Sequence, residues 1–339
     1  MFCKVVVYLC TQIEFEMFLL NQIESNLPSG LLPPEEGKRF VYLLEIRLDW
    51  LTLLAPPIIG RFVNGVCKFY GAEEIVRMYM EKEGLSVMEF HFVVYRKWLD
   101  SDYDPVHVGE CNLKILFTAA QVTGLPSDPG DFVASHYLIP HSTGVLYPGQ
   151  HFPLTTGNDR DEDFFFYRAD GSSVHAHRSL SPDTLDTYTA EWSSEFVRME
   201  AYIEQEHRFT LYFLDGSAIE HFRFRNVFNC WESVSFPSAV SQDPSEEFDS
   251  EFLGTELKKF DAVQMLELTL KSGSLPAFMY DQLLALCRAH RAQYRVGSEW
   301  CDIIISKYKF DKSDEPNKPL HLELTFEFAD SNRLELMEY

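Results

Sequence analysis

Leu320, Leu322, Leu324, Phe326 and Phe328 alternate with His321, Glu323, Thr325 and Glu327. Successive side chains of a strand point to opposite faces, so this stretch buries one face and wets the other only as a β-strand. Such a strand needs neighbours. Either Ile303–Phe310 or Arg333–Met337 is the stretch expected to pair with it.

A second constraint comes from a turn. In Asp161–Ser179, DEDFFFYRADGSSVHAHRS, the apolar run Phe164–Arg168 and the run Val174–Leu180 flank Asp170-Gly171. Asp-Gly accepts the positive backbone angles of a tight hairpin turn. The stretch Asp163–Arg178 can be laid without gaps on Arg208–Arg223, RFTLYFLDGSAIEHFR, so a second hairpin is expected at Asp215-Gly216, between Phe209–Leu214 and Ala218–Arg225.

Other stretches carry helical signals. Thr11-x-x-Glu14 has the form of a capping box opening a helix with Ile13, Met17, Leu20 and Leu27, and Ala72–Glu83 reads as a helix. A helix capped by Ser181 and started by Pro182 is expected to run to about Gln205, with the stripe Leu185, Tyr188, Trp192, Phe196, Met199 and Ile203. Two more are expected at Leu257–Leu270 and Pro276–Tyr294, the second capped by Ser274. Val5–Cys10 is a compact apolar run; Arg39–Trp50 has strand periodicity on its even positions, with Val41 and Leu43 leaving a helix open; and strands are expected at Arg61–Tyr70, Val87–Trp98 and Asn112–Phe117. The turn formers GLPSDPG, Gly124–Gly130, suggest a boundary. The expected fold class is therefore α+β: a mixed α/β domain over 1–125, then an α+β domain over 126–339 with two antiparallel Asp-Gly hairpins, packed helices and an acidic loop at 242–256.

Charge narrows the function. The 339 residues include 29 Lys and Arg against 52 Asp and Glu, a net charge of -23. Through residue 170 there are 13 basic and 23 acidic residues, leaving 16 and 29 beyond it, so the two parts carry -10 and -13 and no single tail holds the excess. Such a field repels nucleic-acid phosphates and anionic membranes and steers basic partners inward. The seven cysteines contain no C-x-x-C pair, which fits a reducing cytoplasm. The first ten residues lack a secretory apolar core, and Phe40–Ile59 is broken by Glu45, Arg47 and Asp49, so no membrane span is expected.

The sharpest docking candidate is QDPSEEFDSEFLGTE, Gln242–Glu256. It holds six carboxylates, no base, and two aromatic rings. Glu246, Glu247, Phe248, Asp249, Glu251 and Phe252 are its expected contact residues, with carboxylates steering a basic surface and the Phe rings anchoring it. Motifs for a nucleophile elbow, a P-loop, a dinucleotide turn and a zinc protease are absent. These features favour a non-enzymatic intracellular binding protein without a cofactor. It would inhibit, neutralise in the manner of an antitoxin or immunity protein, or antagonise a basic protein, including one that itself binds nucleic acid.

Two alternatives compete with that expectation. His175 and His177 on one strand face stand about 6.6–7 Å apart, close enough to converge on a divalent transition metal. His151 would complete the set, with His136, His141 or the Asp159–Asp163 cluster as further donors. YPGQHFPL around His151 followed by His-x-His resembles cupin metal motifs, but in reversed order and without their Glu. Asp159, Asp161, Asp163 and Asp170 also resemble a calcium loop, with Phe164 where its turn glycine belongs. The remaining alternative is a structural subunit whose aromatic strands, such as Leu320–Phe328, complete an assembly.

Overall fold

The computed structural model describes residues 17–34, 39–49, 51–99, 103–119, 128–157, 160–179, 185–253, 256–311 and 319–329, with side chains at these positions except 21, 24 and 240–266. The chain divides between Ala134 and Ser135 into two units. The stretch Val5–Cys10, the capping pair Thr11 and Glu14, the caps Ser181 and Pro182, and Arg333–Met337 lie outside the described residues.

The first unit contains β1 (Met17–Leu19), α1 (Ile23–Asn26), β2 (Phe40–Arg47), β3 (Ile58–Ile59), β4 (Arg61–Val63), β5 (Val66–Lys68), α2 (Ala72–Glu83), β6 (Val87–Trp98) and β7 (Val106–Leu116). A five-stranded sheet has the order β1-β7-β6-β2-β3, antiparallel except for the parallel pair of β1 and β7. Along β2 the even positions Tyr42, Leu44 and Ile46 are buried, as period-2 alternation requires. Ala72, Val76 and Met80, spaced four apart on α2, share a core with Phe90, Phe92 and Val94 of β6. Gly71 (φ 91) and Gly84 (φ 68) bound this helix in the left-handed region that glycine adopts without a Cβ penalty. The expected single strand Arg61–Tyr70 is two short ones, because Asn64-Gly65 (φ 52 and 78) folds it into a hairpin.

The division between units falls at the last residue of α3 (Pro129–Ser135). The second unit comprises β8 (Thr143–Leu146), β9 (His151–Gly157), β10 (Asp161–Tyr167), β11 (Ser173–Ser179), β12 (Leu185–Glu191), β13 (Arg198–Ile203), β14 (Glu206–Phe213), β15 (Ile219–Arg225), β16 (Trp231–Leu253), β17 (Glu256–Ser272), α4 (Tyr280–Arg288), β18 (Ala292–Val296), β19 (Glu299–Asp311) and β20 (His321–Phe328). One sheet has the order β11-β10-β13-β14-β8, and β9 and β12 form a two-stranded ribbon. Phe152 and Leu154 of β9 share a core with Phe164, Met199, Ala201 and Phe209, which places the ribbon on one face of that sheet. Gly144 is required there, since a Cβ would meet the rings of Phe152 and Phe209 at 2.9 and 3.0 Å.

The rest of the second unit is a closed barrel, β15-β16-β17-β20-β19-β18. Two three-stranded meanders join at the antiparallel pairs β15 with β18 and β17 with β20. Closure removes the open edges that an isolated meander would expose. Phe222, Phe224, Val234, Phe236, Leu268, Leu270, Leu324 and Phe326 fill the interior, together with Leu283 and Leu286 of α4. Outside, the Arg223 guanidinium lies 4.8 Å from the Trp231 ring and 4.7 Å from the Trp300 ring, so one cation of β15 spans to β16 and to β19 across the seam.

Strands dominate both units, which overturns the α+β expectation with its packed helices. The expected helix 182–205 consists of β12 and β13 over its described part. Its apolar residues match a helical stripe by coincidence; what the structure buries is the alternation Met199, Ala201, Ile203. Leu257–Leu270 lies in β17, where Leu268 and Leu270 face the barrel core and Thr269 pairs with Thr325. Pro276–Tyr294 shortens to a 3-10 turn and α4, and Ser274 does not cap it. From Met17 onward the first expected helix is a strand, a 3-10 turn and the four-residue α1. The second Asp-Gly hairpin is also corrected: β14 and β15 belong to different sheets, and the positive φ falls on Ala218. Among the described residues no helix is long and apolar enough to cross a membrane.

Candidate functional site

The first Asp-Gly hairpin builds the most distinctive surface. Gly171 takes φ 84, and the Asp170 carboxylate accepts the Ser172 backbone N–H at 2.9 Å and its hydroxyl at 2.7 Å. This turn sets the register of β10 against β11: Asp163 faces His177 and Phe165 faces His175. On its other side β10 pairs with β13, placing Asp163 opposite Tyr202, Phe165 opposite Glu200 and Tyr167 opposite Arg198. Glu162 and Phe164 point into the core, so Asp163, Phe165 and Tyr167 occupy the outer face with both histidines.

The two histidines converge on a carboxylate. His175 Nε2 lies 2.7 Å and His177 Nδ1 3.0 Å from the same Asp163 Oδ1. These hydrogen bonds hold the Asp163 carboxyl below the usual carboxylate range. An ionised carboxylate only accepts, so at each of these nitrogens the ring donates an N–H, and the lone pair a metal would need is absent there. Phe165 stacks on His175 with ring centroids 4.6 Å apart and planes at 13°.

His151 does not join the pair. It sits at the start of β9, whose buried residues pack on the opposite face of the sheet, and its Nδ1 lies 3.8 Å from Glu191 Oε1. His136 meets Ser135 and Arg208, and His141 meets Glu232. Asp159 lies outside the described residues. Among the described residues no group of three or more His, Cys, Asp or Glu is disposed to hold a metal ion.

Beside the histidines the same face carries a shallow cavity of about 290 Å³, lined by Asp163, Phe165, Tyr167, Tyr202 and Gln205. The Tyr167 and Tyr202 hydroxyls both donate to Glu200 Oε2 at 3.0 Å. Desolvation and this donation to Glu200 push both phenols up, which keeps them protonated donors. Arg198 lies over the Tyr167 ring at 4.4 Å and reaches Glu200 Oε1 at 3.2 Å. The wall formed by Gln205 comes from the two-residue connection of β13 to β14, where Glu204 and Gln205 take φ 50 and 67.

The acidic segment lies elsewhere and is no loop. Glu246, Glu247, Phe248, Asp249, Glu251 and Phe252 are on β16, in register with Gln264, Val263, Ala262, Asp261, Lys258 and Leu257 of β17. Their side chains lie outside what is described. β15 pairs with β16 over Trp231–Pro237, and β20 with β17 over Glu267–Lys271. Among the described residues, 244–253 and 256–266 therefore pair only with each other, as a two-stranded arm running out of the barrel wall.

The residues that sequence reasoning missed are Phe165, Tyr167, Glu200, Tyr202 and Gln205. Alternation from Asp163 through the Asp-Gly turn was the available signal for the first two. Glu200 and Tyr202 carried none, because their strand had the apolar spacing of a helix. The chain matches no protein-family model and no curated protein.

Proposed function

We propose that this chain is a binding protein that inhibits, neutralises or antagonises a basic protein. The observation that carries the reading is the arm: an acidic stretch, Gln242–Glu256, with six carboxylates and two Phe, lying largely on the parts of β16 and β17 that, among the described residues, pair only with each other. An arm of this kind offers both strand edges and side chains to a partner. The net charge of -23 supplies the long-range attraction.

The test replaces residues 244–266 by Asn-Gly, which joins the facing pair Asp243 and Glu267 through a tight turn. The removed stretch carries six acids and two Lys, a net charge of -4, so the control neutralises four exposed carboxylates outside the arm. Proteins captured from the native cell by the parent chain should be lost from the arm variant and kept by the control. With the purified partner, affinity should fall about tenfold or more as salt rises from 50 to 300 mM. Equal capture by both variants, or affinity indifferent to salt, would refute the reading.

A further inference from the structure

We propose that the cavity bounded by Phe165, Tyr167, Tyr202, Asp163 and Gln205 is a receptor for one cationic side chain, an arginine in preference to a lysine. It deepens the proposed recognition of a basic partner and names a second contact, on an element separate from the arm. Three rings and one carboxylate line a cavity of about 290 Å³. Aromatic faces carry negative quadrupole density and attract a guanidinium or ammonium held within about 6 Å. A planar guanidinium also stacks on a ring while its edge donates to a carboxylate, which a compact ammonium cannot do in one pose.

The molecule contains its own example of this contact. Arg198 lies on the outer side of the site with its guanidinium 4.4 Å over Tyr167 and 3.2 Å from Glu200. The neighbouring position, toward Phe165 and Tyr202, has the same ingredients. Phe165 and Tyr202 meet edge to face at 5.4 Å, and His175 covers one side of Phe165. Asp163 keeps its negative charge, because the His175 and His177 hydrogen bonds favour the ionised form. Both bonds go to Oδ1, so Oδ2 is the oxygen left to receive a guanidinium edge. Of the charged groups placed here, Asp163 lines the cavity while Glu200 is paired with Arg198 and Glu204 with Arg160, so the Asp163 carboxylate is the charge presented to a cation.

A separate observation marks the same place. A two-residue hairpin connection with both φ values positive favours Asn-Gly, yet this one is Glu204-Gln205. Residues with side chains held in that region are strained, and such strain concentrates at ligand sites. Gln205 places an amide on the cavity wall that a relaxed glycine turn would not supply.

The experiment titrates the full chain with N-acetyl-arginine amide, N-acetyl-lysine amide and N-acetyl-citrulline amide at low salt, followed by saturation-transfer NMR and by chemical shifts of labelled His175 and His177. Citrulline keeps the shape of arginine and removes its charge. Arginine should bind in the millimolar range, with citrulline about tenfold weaker and lysine between them. Asp163→Asn and Phe165→Leu should each weaken arginine about tenfold. The paired change Glu204→Asn and Gln205→Gly should weaken it while raising the unfolding midpoint by about 2–8 °C. The arm variant should bind the probe normally, so failure of the arm reading and failure of this one give different results. Equal binding of citrulline, no binding of arginine to tens of millimolar, or unchanged binding in Asp163→Asn and Phe165→Leu would overturn the proposal. A fold check by NMR accompanies each variant, and Asp163→Asn, at a solvent-facing position, keeps the test sound if the Phe165 change perturbs the sheet.

Discussion

Replacing His141 by alanine is expected to destabilise the second unit by about 3–5 kcal/mol at pH 6, the range for removing one partner of a buried ion pair. The His141 side chain is 7% exposed and that of Glu232 is fully buried. Nδ1 lies 2.7 Å from the Thr143 carbonyl and Nε2 2.5 Å from Glu232 Oε1. Both partners accept, so both ring nitrogens carry hydrogens and the ring is an imidazolium. Asn226 donates to the other Glu232 oxygen at 3.3 Å and to the Leu138 carbonyl at 2.8 Å, while its own carbonyl accepts the backbone N–H groups of Phe228 and Cys230. Alanine would leave the Glu232 carboxyl fully buried with one weak amide contact in place of its cation. The pH dependence has a defined sign. Burial works against the charged ring, but the Glu232 charge and hydrogen bond, with the Thr143 carbonyl, outweigh it and raise the His141 pKa. The stabilisation is therefore complete below the ordinary histidine value of about 6.5 and is lost as pH rises through the raised folded value. Urea midpoints should show a parent-to-variant gap that narrows from pH 6 toward pH 9. A gap that stays constant, or a loss under about 1 kcal/mol, would show that no buried ion pair operates here.

What the sequence made legible was local. The alternation Leu320–Phe328 became β20, paired to β19 over Ile303–Asp311 as the neighbouring apolar run suggested. Asp170-Gly171 became a hairpin because the turn chemistry resides in three consecutive residues. Asp215-Gly216 has the same letters and a different outcome. Phe222 and Phe224 on β15 gain full burial in the barrel, while Phe209 and Leu211 on β14 gain it in the neighbouring sheet, so tertiary packing separates the two strands. The closure of the barrel was not legible at all, since Arg223 meets Gln293 across 70 residues and no local pattern encodes that pairing. The candidate site follows the same division. His175 and His177 were recognisable as a same-face pair, and Asp163 stood in the acidic cluster expected to lie near them. That Asp163 receives both rings depends on the β10–β11 register, and that Tyr202 and Glu200 complete the surface depends on a third strand whose sequence imitates a helix.

Phe326→Ala is expected to cost about 3–5 kcal/mol, as large-to-small changes of buried aromatics do. Phe326 is fully buried at the centre of the barrel, with ring centroids 5.8 Å from Phe222, 5.1 Å from Tyr294 and 6.2 Å from Phe328. Its neighbours come from β15, β18 and β20, so the ring touches both sides of the seam where the two meanders join. Interiors are close-packed, and strands tied to one another around a closed barrel cannot collapse far into the space a phenyl ring leaves. The cost should therefore lie toward the upper end of the range, and Phe326→Leu, which refills most of the volume, should cost about 1–2 kcal/mol. Urea unfolding followed by tryptophan fluorescence would report the loss as a lower midpoint at unchanged slope. Hydrogen exchange would locate it. The amides joining β15 to β18 should lose the most protection, because only three residue pairs hold that seam against the seven that join β15 to β16. The arm shares β16 and β17 with the barrel wall, so its base should loosen in the same variant, and the partner binding proposed for the arm should weaken even though no arm residue has changed. A loss under about 1 kcal/mol, or protection lost evenly around the barrel, would mean that Phe326 is not the side chain that closes the seam.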